Sequence, residues 1–319
     1  MATATLLRPP SGCLRACSGP SSAAVARAAP IAARQQQRPS QQQRRRRAVA
    51  AQAGRGGGAG SGSDEEDYFQ EQGSVDDGSE YYDSEDMQEL VDTSLRLYLD
   101  SADTKEWEKW VETGLFYGFT TNPTILRRDA VACNIASMRQ LTRKAFSLEV
   151  EELQLQAWGS TSQEMYSCGL DLMDLDGRIV VKLPVTVEGV KAAHRLIQDG
   201  VPVTMTAVYA AHQVVSSLAM GAAYCAPYVG RMTDAGKNGI QETVRMQKIV
   251  DLGCEEGHMR LLVASIRSAD EVASLAAEGC NTFTLSPAVA AQMFDEPLTI
   301  QAAELFQEHA DEMGAMRGH

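Results

Sequence analysis

Short apolar runs alternate with polar, helix-like segments along residues 95–319 of this 319-residue chain. Runs that are short and rich in branched apolar residues are typical of strands buried on both faces of a sheet. We therefore predict eight strands, at Leu95–Leu99, Gly118–Asn122, Phe146–Val150, Ile179–Val185, Val201–Val208, Ala222–Val229, Arg260–Ile266 and Asn281–Leu285.

The segments between these runs carry apolar residues at helical spacing and have capping residues at their ends. Ser101 is predicted to cap the first helix, which runs to Thr113, and Pro123 to begin the second helical region. Further helices are predicted at Ser162–Leu175, Val187–Gln198, Ala210–Met220, Ile240–Leu252, Ala269–Glu278 and Ile300–Glu312.

Eight strand–helix units with short connections predict parallel strands joined by right-handed crossovers. Their number and total length fit an α/β fold of the (β/α)₈ TIM barrel type, which usually needs about 250 residues. A doubly wound open sheet is the alternative, and it would carry a glycine-rich phosphate loop after the first strand. The chain reads DSADT at residues 100–104 instead, which favours the barrel.

The first 62 residues differ in composition from the rest of the chain. They contain ten arginines and no lysine, aspartate or glutamate, and they are rich in Ala, Ser, Gln and Gly. This composition is typical of an organelle transit peptide, and the small residues of Ala48–Ala53 resemble a plastid processing region. We therefore predict a location in the plastid stroma, with a basic arm that binds nucleic acid as the alternative.

Residues 63–94 hold thirteen acidic residues and no basic ones, so we predict a disordered linker. Without the ten arginines before it and these thirteen acids, the formal net charge of −13 becomes −10 for residues 95–319. An acidic domain argues against a nucleic-acid surface. The chain has no run of 18 apolar residues, so we expect no membrane span.

Seven cysteines are present, and Cys13 and Cys17 fall in the predicted transit peptide. The other five are widely spaced and form neither a CxxC motif nor a Cys/His ligand pattern. We therefore expect free thiols and no metal site.

Lys182 is the one charge inside the predicted fourth strand. Burial favours the uncharged amine and lowers its pKa, which makes a lysine a nucleophile toward a carbonyl group. The alternative is a lysine at the end of an edge strand whose ammonium group reaches water.

The residues at the carboxyl ends of barrel strands converge on one active site. This rule selects a nucleophile, two carboxylates, several hydroxyl groups and two guanidinium groups: Asp100, Asn122, Glu149, Lys182, Thr206, Tyr228, Arg231, Ser265 and Arg267. A desolvated lysine forms an imine with a ketone, and the imine accepts electrons when a neighbouring carbon–carbon bond breaks. Asp100 and Glu149 can divide the proton transfers of such a reaction, while Thr206 positions a water molecule. The alternatives are helix capping for Asp100 and Thr206 and a solvated acidic patch for Glu149.

Arg231, Ser265 and Arg267 are candidates for a phosphate site. Guanidinium groups bind phosphate with two parallel hydrogen bonds, and barrels commonly bind phosphate with loops after the later strands. Solvent-exposed arginines without a ligand are the alternative.

Six segments resemble the transaldolase family, particularly its short branch, which includes the fructose-6-phosphate aldolases. They read LYLDSAD (97–103), GFTTNPTIL (118–126), SLEV (147–150), IVVKLPVTVEGVKAA (179–193), APYVGR (226–231) and VASIR (263–267). The resemblance implies a (β/α)₈ barrel without a metal or organic cofactor, which acts on sugar phosphates. Short members of the family often form ring-like assemblies, so it also implies a homo-oligomer.

The resemblance also implies roles for single residues. Lys182 matches the Schiff-base lysine, Asp100 the acid/base aspartate and Thr206 the threonine that holds the catalytic water. Thr120 and Asn122, within TTNP, match substrate-binding positions. The phosphate-binding positions match Arg231, Ser265 and Arg267.

Two positions bear on which reaction the resemblance implies. Glu149 matches the glutamate of transaldolases, where the fructose-6-phosphate aldolases carry glutamine. Tyr228 is aldolase-like, because transaldolases usually have phenylalanine there. Phe119 and His194 also depart from the residues that are usual in the family.

The sequence as a whole predicts a transaldolase of the pentose phosphate pathway. It would transfer a dihydroxyacetone unit from sedoheptulose 7-phosphate or fructose 6-phosphate to an aldose phosphate. An aldolase that releases dihydroxyacetone is the first alternative, and a non-catalytic plastid barrel protein is the second.

Overall fold

The computed structural model describes residues 95–253 and 259–315, so the predictions for residues 1–94 and for Cys254 lie outside it. Parallel strands pair in the order β7-β6-β5-β4-β3-β2-β1-β8. Their bounds are β1 Arg96–Asp100, β2 Phe116–Thr120, β3 Glu152–Gln156, β4 Ile179–Pro184, β5 Val203–Val208, β6 Tyr224–Pro227, β7 Arg260–Leu261 and β8 Thr282–Leu285.

The sheet closes on itself at Val263, which follows β7. Its N–H donates to the carbonyl oxygen of Thr282 and its carbonyl accepts from Thr284 N–H, both at 2.9 Å. A second bridge joins Tyr228 to Ala264 beyond β6 and β7. The predicted (β/α)₈ TIM barrel is therefore confirmed, although β7 proper is shorter than the predicted Arg260–Ile266.

Helices cover the outside of the barrel between the strands. They are α1 Thr104–Val111, α2 Pro123–Arg128, α3 Ile135–Ser147, α4 Ser162–Met173, α5 Val187–Gln198, α6 Ala211–Ala219, α7 Val229–Asp234, α8 Gly239–Gly253, α9 Ala269–Ala277, α10 Pro287–Gln292 and α11 Pro297–Glu312. Among the described residues, no helix is both long and apolar enough to span a membrane.

The bounds of α5 agree with the prediction, and the cap of α1 does not. Thr186 caps α5, with its Oγ1 accepting from Gly189 N–H at 3.1 Å. Asp103, rather than Ser101, caps α1 through a bond from Lys105 N–H. Ser101 lies two residues before Asp103, and its hydroxyl accepts from the N–H of Asp103.

The main apolar core lies between the strands and the helices. Trp107 of α1 is fully buried and stacks on Phe119 of β2, with ring centroids 4.4 Å apart. Burial of large side chains in this layer supplies most of the driving force for closing the barrel. Phe119 therefore faces the helices, away from the barrel interior.

The third strand was predicted wrongly at Phe146–Val150. Residues 146 and 147 belong to the end of α3, and β3 begins only at Glu152. In β3, Leu153 and Leu155 join the outer apolar core. Alternate residues of a strand point to opposite faces, so Glu152, Gln154 and Gln156 face the barrel interior. The polar inner face made this strand look like a loop, since strands of a parallel sheet are usually apolar on both faces.

A buried hydrogen-bonded cluster occupies the amino-terminal half of the barrel interior. The Glu152 carboxylate accepts from the hydroxyls of Tyr98 and Tyr224, each at 3.0 Å, and from the Gln154 amide at 2.8 Å. Thr204 of β5 in turn donates to Oε1 of Gln154 at 2.9 Å. Burial raises the pKa of Glu152, while these hydrogen bonds and the charge of Arg96 oppose the increase.

We predict that Glu152→Ala lowers the free energy of unfolding by about 3 kcal/mol, because two buried phenols and an amide lose their acceptor. Glu152→Gln keeps one acceptor oxygen and should cost about 1 kcal/mol. Urea unfolding of both variants checks this prediction.

The pH dependence supplies the second check. Because the pKa of Glu152 is raised above its usual 4.5, the folded chain holds the proton more tightly than the unfolded chain. In the wild type, the contribution of Glu152 to the free energy of unfolding therefore falls as pH rises from the unfolded-state pKa through the folded-state pKa. Glu152→Gln should lack that fall, and an unchanged slope in this variant would contradict the assignment.

Candidate active site

Lys182 lies on β4 at the carboxyl-terminal half of the barrel interior. It is 3% exposed, and its Cα partners in the neighbouring strands are Gln156 of β3 and Thr204 of β5. Burial lowers its pKa, and the negative charge of Asp100 opposes this effect. A sizeable fraction of neutral amine is therefore present at lower pH than for a solvated lysine, as a nucleophile for carbonyl groups requires.

Asp100 is the last residue of β1 and is half-buried. Its Oδ1 accepts from the Thr120 hydroxyl of β2 at 2.6 Å. Burial raises the pKa of Asp100, against the charge of Lys182 and the hydrogen bond from Thr120. A carboxyl group in this environment can both take and return a proton, which is the property of a general acid/base.

Thr206 and Tyr228 form a direct hydrogen bond on the side of the site formed by β5 and β6. Their oxygen atoms are 2.7 Å apart, and both residues are buried. Burial raises the pKa of Tyr228, so the phenol keeps its proton at neutral pH. The pair can hold a water molecule or pass a proton to an atom bound at Lys182.

The prediction that Glu149 lies at a strand end was wrong. Glu149 is exposed in the turn after α3, with a φ of 59°, and it precedes the amino-terminal end of β3. The side chain that β3 places beside Lys182 is the half-buried Gln156. Sequence reasoning missed Gln156 because the strand itself was assigned six residues too early.

The three predicted phosphate ligands lie together beyond β6 and β7. Ser265, with a φ of 61°, accepts at its carbonyl from Gly230 N–H at 2.9 Å. A Cβ atom at Gly230 would be 2.6 Å from Nε of Arg267, so the Arg267 side chain crosses close over this glycine. Arg231 follows Gly230 directly, and its guanidinium carbon lies 5.0 Å from the Tyr228 ring centre. The exposed Arg267 also forms an ion pair with Asp234 at 2.6 Å.

Asn122 is the cap of α2. Its Oδ1 accepts from the N–H groups of Thr124 and Ile125, at 2.9 and 3.1 Å. These bonds fix the side chain, so its amide N–H groups are the part that can meet a substrate hydroxyl. Its role in substrate binding stays a prediction.

The two departures from the family pattern lie away from this cluster. Phe119 packs against Trp107 in the outer core, and His194 is exposed on α5. Neither side chain is on the inner face of the barrel.

The arrangement combines a nucleophilic amine, a carboxyl group, a hydroxyl pair and guanidinium groups at one end of the barrel. Such a set can form an imine, move protons and hold an anionic substrate. Within residues 95–253 and 259–315, no three His, Cys, Asp or Glu side chains are grouped as metal ligands would be.

Comparisons with known proteins agree with this chemistry. A family model described as transaldolase/fructose-6-phosphate aldolase matches residues 97–317. A probable transaldolase of Hyphomonas neptunium is 31% identical over 222 residues, covering 69% of this chain and 99% of the relative. A probable transaldolase of Thermus thermophilus is 32% identical over 225 residues, covering 67% of this chain and 97% of the relative.

We predict that Asp100→Asn lowers the pKa of Lys182 further, because it removes the charge that stabilises the ammonium form. Reductive alkylation of Lys182, followed by peptide mass spectrometry over a range of pH, should then have its midpoint at lower pH. Glu149→Gln is the matched control and should leave the midpoint in place. An equal shift in both variants would contradict the placement of these two acids.

Proposed function

Because the chain belongs to the transaldolase/fructose-6-phosphate aldolase family, we propose that it cleaves ketose phosphates through an imine formed at Lys182. The observation that carries this proposal is the burial of Lys182 beside Asp100 at the carboxyl ends of the barrel strands. A solvated lysine is almost wholly protonated at neutral pH and adds slowly to ketones.

In the proposed reaction, the Lys182 amine adds to the ketose carbonyl and the carbinolamine loses water. The protonated carboxyl group of Asp100 supplies the proton that this water takes away, through a water molecule held by Thr206, and Asp100 becomes a carboxylate. Asp100 then removes the proton of the hydroxyl group on the carbon two positions from the imine carbon. The bond between this hydroxyl-bearing carbon and the carbon next to the imine carbon breaks. An aldose phosphate leaves, and an enamine of dihydroxyacetone stays on Lys182.

The substrate phosphate is proposed to bind Arg231 and Arg267. Two guanidinium groups can form several charge-assisted hydrogen bonds with a phosphate dianion. Arg267 has to leave Asp234 for this purpose, and an ion pair between two exposed side chains is worth only about 0–1 kcal/mol.

Release of dihydroxyacetone is the fate of the enamine that the site favours. Protonation of the enamine carbon leads to release, and the Tyr228 phenol, which keeps its proton, is available for it. The residue that β3 places beside Lys182 is the neutral Gln156, so the site has the glutamine and the tyrosine that the resemblance associates with the aldolases. We therefore place aldolase activity first.

Transfer of the enamine to a second aldose phosphate is the second candidate. The relatives from Hyphomonas neptunium and Thermus thermophilus are named probable transaldolases, which favours this reaction. The donors would be sedoheptulose 7-phosphate or fructose 6-phosphate, and the reaction would belong to the pentose phosphate pathway.

Two further proposals concern the setting of the enzyme. The composition of residues 1–62 supports import into the plastid stroma. A homo-oligomer is supported by α11, where Leu298 and Phe306 are 73% and 69% exposed. Contiguous exposed apolar patches often mark contacts between chains.

We predict that sodium borohydride with fructose 6-phosphate links a reduced dihydroxyacetone unit to the peptide that contains Lys182. Lys182→Met should abolish the adduct and lower kcat by more than about a thousandfold, the scale for loss of a covalent nucleophile. Lys191→Met, which changes an exposed lysine of α5, is the control and should keep both. A wild-type chain that gives no adduct would end the proposal.

We predict that the enzyme forms free dihydroxyacetone from fructose 6-phosphate without an acceptor. Tyr228→Phe should slow this release by about a hundredfold, because it removes the general acid, while imine trapping continues. The measurement is dihydroxyacetone and aldose phosphate production with and without erythrose 4-phosphate. Consumption of fructose 6-phosphate only when erythrose 4-phosphate is present would establish transfer instead.

A further inference from the structure

Asp100 is at the end of a chain of three oxygen atoms that crosses from β1 to β2 and then to β8. The Thr120 hydroxyl is 2.6 Å from Oδ1 of Asp100 and 2.5 Å from the hydroxyl of Thr284. Thr284 comes from the last strand of the barrel, which pairs with β1 in the closed sheet. No sequence motif marks it as part of the site.

The chemistry of hydroxyl groups sets the direction of this chain. A hydroxyl has one hydrogen to donate and can accept through its lone pairs. When Asp100 is ionised, it can only accept, so Thr120 gives its hydrogen to Asp100. Thr284 must then be the donor in its contact with Thr120.

Both hydroxyl groups are shielded from water. Thr120 is 0% exposed and Thr284 is 2% exposed. Water is therefore a poor replacement for either partner. The loss of one hydroxyl leaves the neighbouring hydroxyl without that hydrogen-bond partner. Successive hydrogen bonds in a buried chain also polarise one another, so donation by Thr284 strengthens the bond from Thr120 to Asp100.

The same series of hydrogen bonds also fits the protonated form of the Asp100 carboxyl group. Protonated Asp100 becomes a donor to Thr120, and Thr120 then turns its hydrogen toward Thr284. Thr120 therefore keeps partners on both sides in each protonation state of Asp100. A fixed amide or ammonium donor in place of Thr120 could serve only the ionised carboxylate.

We infer that Thr284 is a positioning residue for catalysis, which acts by holding the Thr120 hydroxyl as the hydrogen-bond partner of Asp100. The inference rests on the proposed function, in which Asp100 removes the substrate proton. Thr284 does not contact the reacting atoms and acts only through Thr120.

The test is Thr284→Val, which keeps the side-chain shape and removes the hydroxyl. We expect kcat for cleavage of fructose 6-phosphate to fall about three- to tenfold, the size expected for one buried hydrogen bond, with KM nearly unchanged. The acidic limb of the kcat–pH profile should move to higher pH, because the ionised carboxylate has lost support. Thr284→Ser should restore both kcat and the position of the acidic limb.

Thr282→Val is the matched control. Thr282 is also buried on the inner face of β8, two residues earlier, and its hydroxyl contacts Asn281 and Arg260 instead of the site. This variant should leave the acidic limb where it is in the wild type. If Thr284→Val proves unstable, Thr284→Ala compared with Thr284→Ser asks the same question.

Two results would overturn the inference. One is a Thr284→Val enzyme with the wild-type kcat and acidic limb, and the other is an equal shift in Thr282→Val. Borohydride trapping separates these results from failure of the proposed function. Loss of the inference leaves the Lys182 adduct intact in the wild type and in both variants, whereas failure of the proposed function removes it from all of them.

Discussion

The site depends on the desolvation of two opposite charges inside one barrel. Burial lowers the pKa of Lys182 and raises the pKa of Asp100, and the attraction between the two groups partly reverses each change. The lowered pKa of the lysine and the raised pKa of the carboxyl group bring the two groups nearer to sharing a proton than they would be in water. Aldol chemistry needs this condition, because the amine must be neutral to add to a carbonyl and the carboxylate must accept a proton later. Lys182 is almost completely buried inside the closed sheet, and Asp100 is half-buried at its carboxyl-terminal edge.

The barrel interior achieves this environment with polar side chains, although bulky apolar residues usually fill such a space. The Glu152 cluster lies nearer the amino-terminal ends of the strands, and Lys182 and Asp100 lie nearer the carboxyl-terminal ends. Each buried group in the cluster is costly unless it has partners, and Glu152 has three donors. Thr204, the neighbour of Lys182 in the sheet, is held by the same cluster through Gln154. A change in the cluster therefore reaches a residue beside the reactive lysine.

The sequence predicted the parts of the fold that follow the usual apolar pattern. Lys182 was found because its strand is apolar on both sides of it, and Asp100 because it ends such a run. β3 was missed because its inner face carries Glu152, Gln154 and Gln156, so its period of two was hidden among polar residues. Gln156 and Thr284 could not be found by pattern, since their place beside Lys182 and Thr120 depends on register between strands. Glu149 was misplaced because β3 was assigned six residues too early, and a shift of this size moves a side chain to the other end of the barrel.

The loops beyond β6 and β7, which form the proposed phosphate site, face a different constraint, because such a site must bind a dianion and still release it. Arg267 is already paired with Asp234 when no phosphate is bound, and both side chains are more than half exposed. Water screens this pair strongly, so exchanging the carboxylate for a phosphate dianion that also contacts Arg231 costs little and gains a second guanidinium partner. A singly charged carboxylate ligand would gain much less from the same exchange. In the proposed phosphate site, Asp234 would thus favour the more highly charged group, while the proposed chemistry at Lys182 would be the same for every ketose.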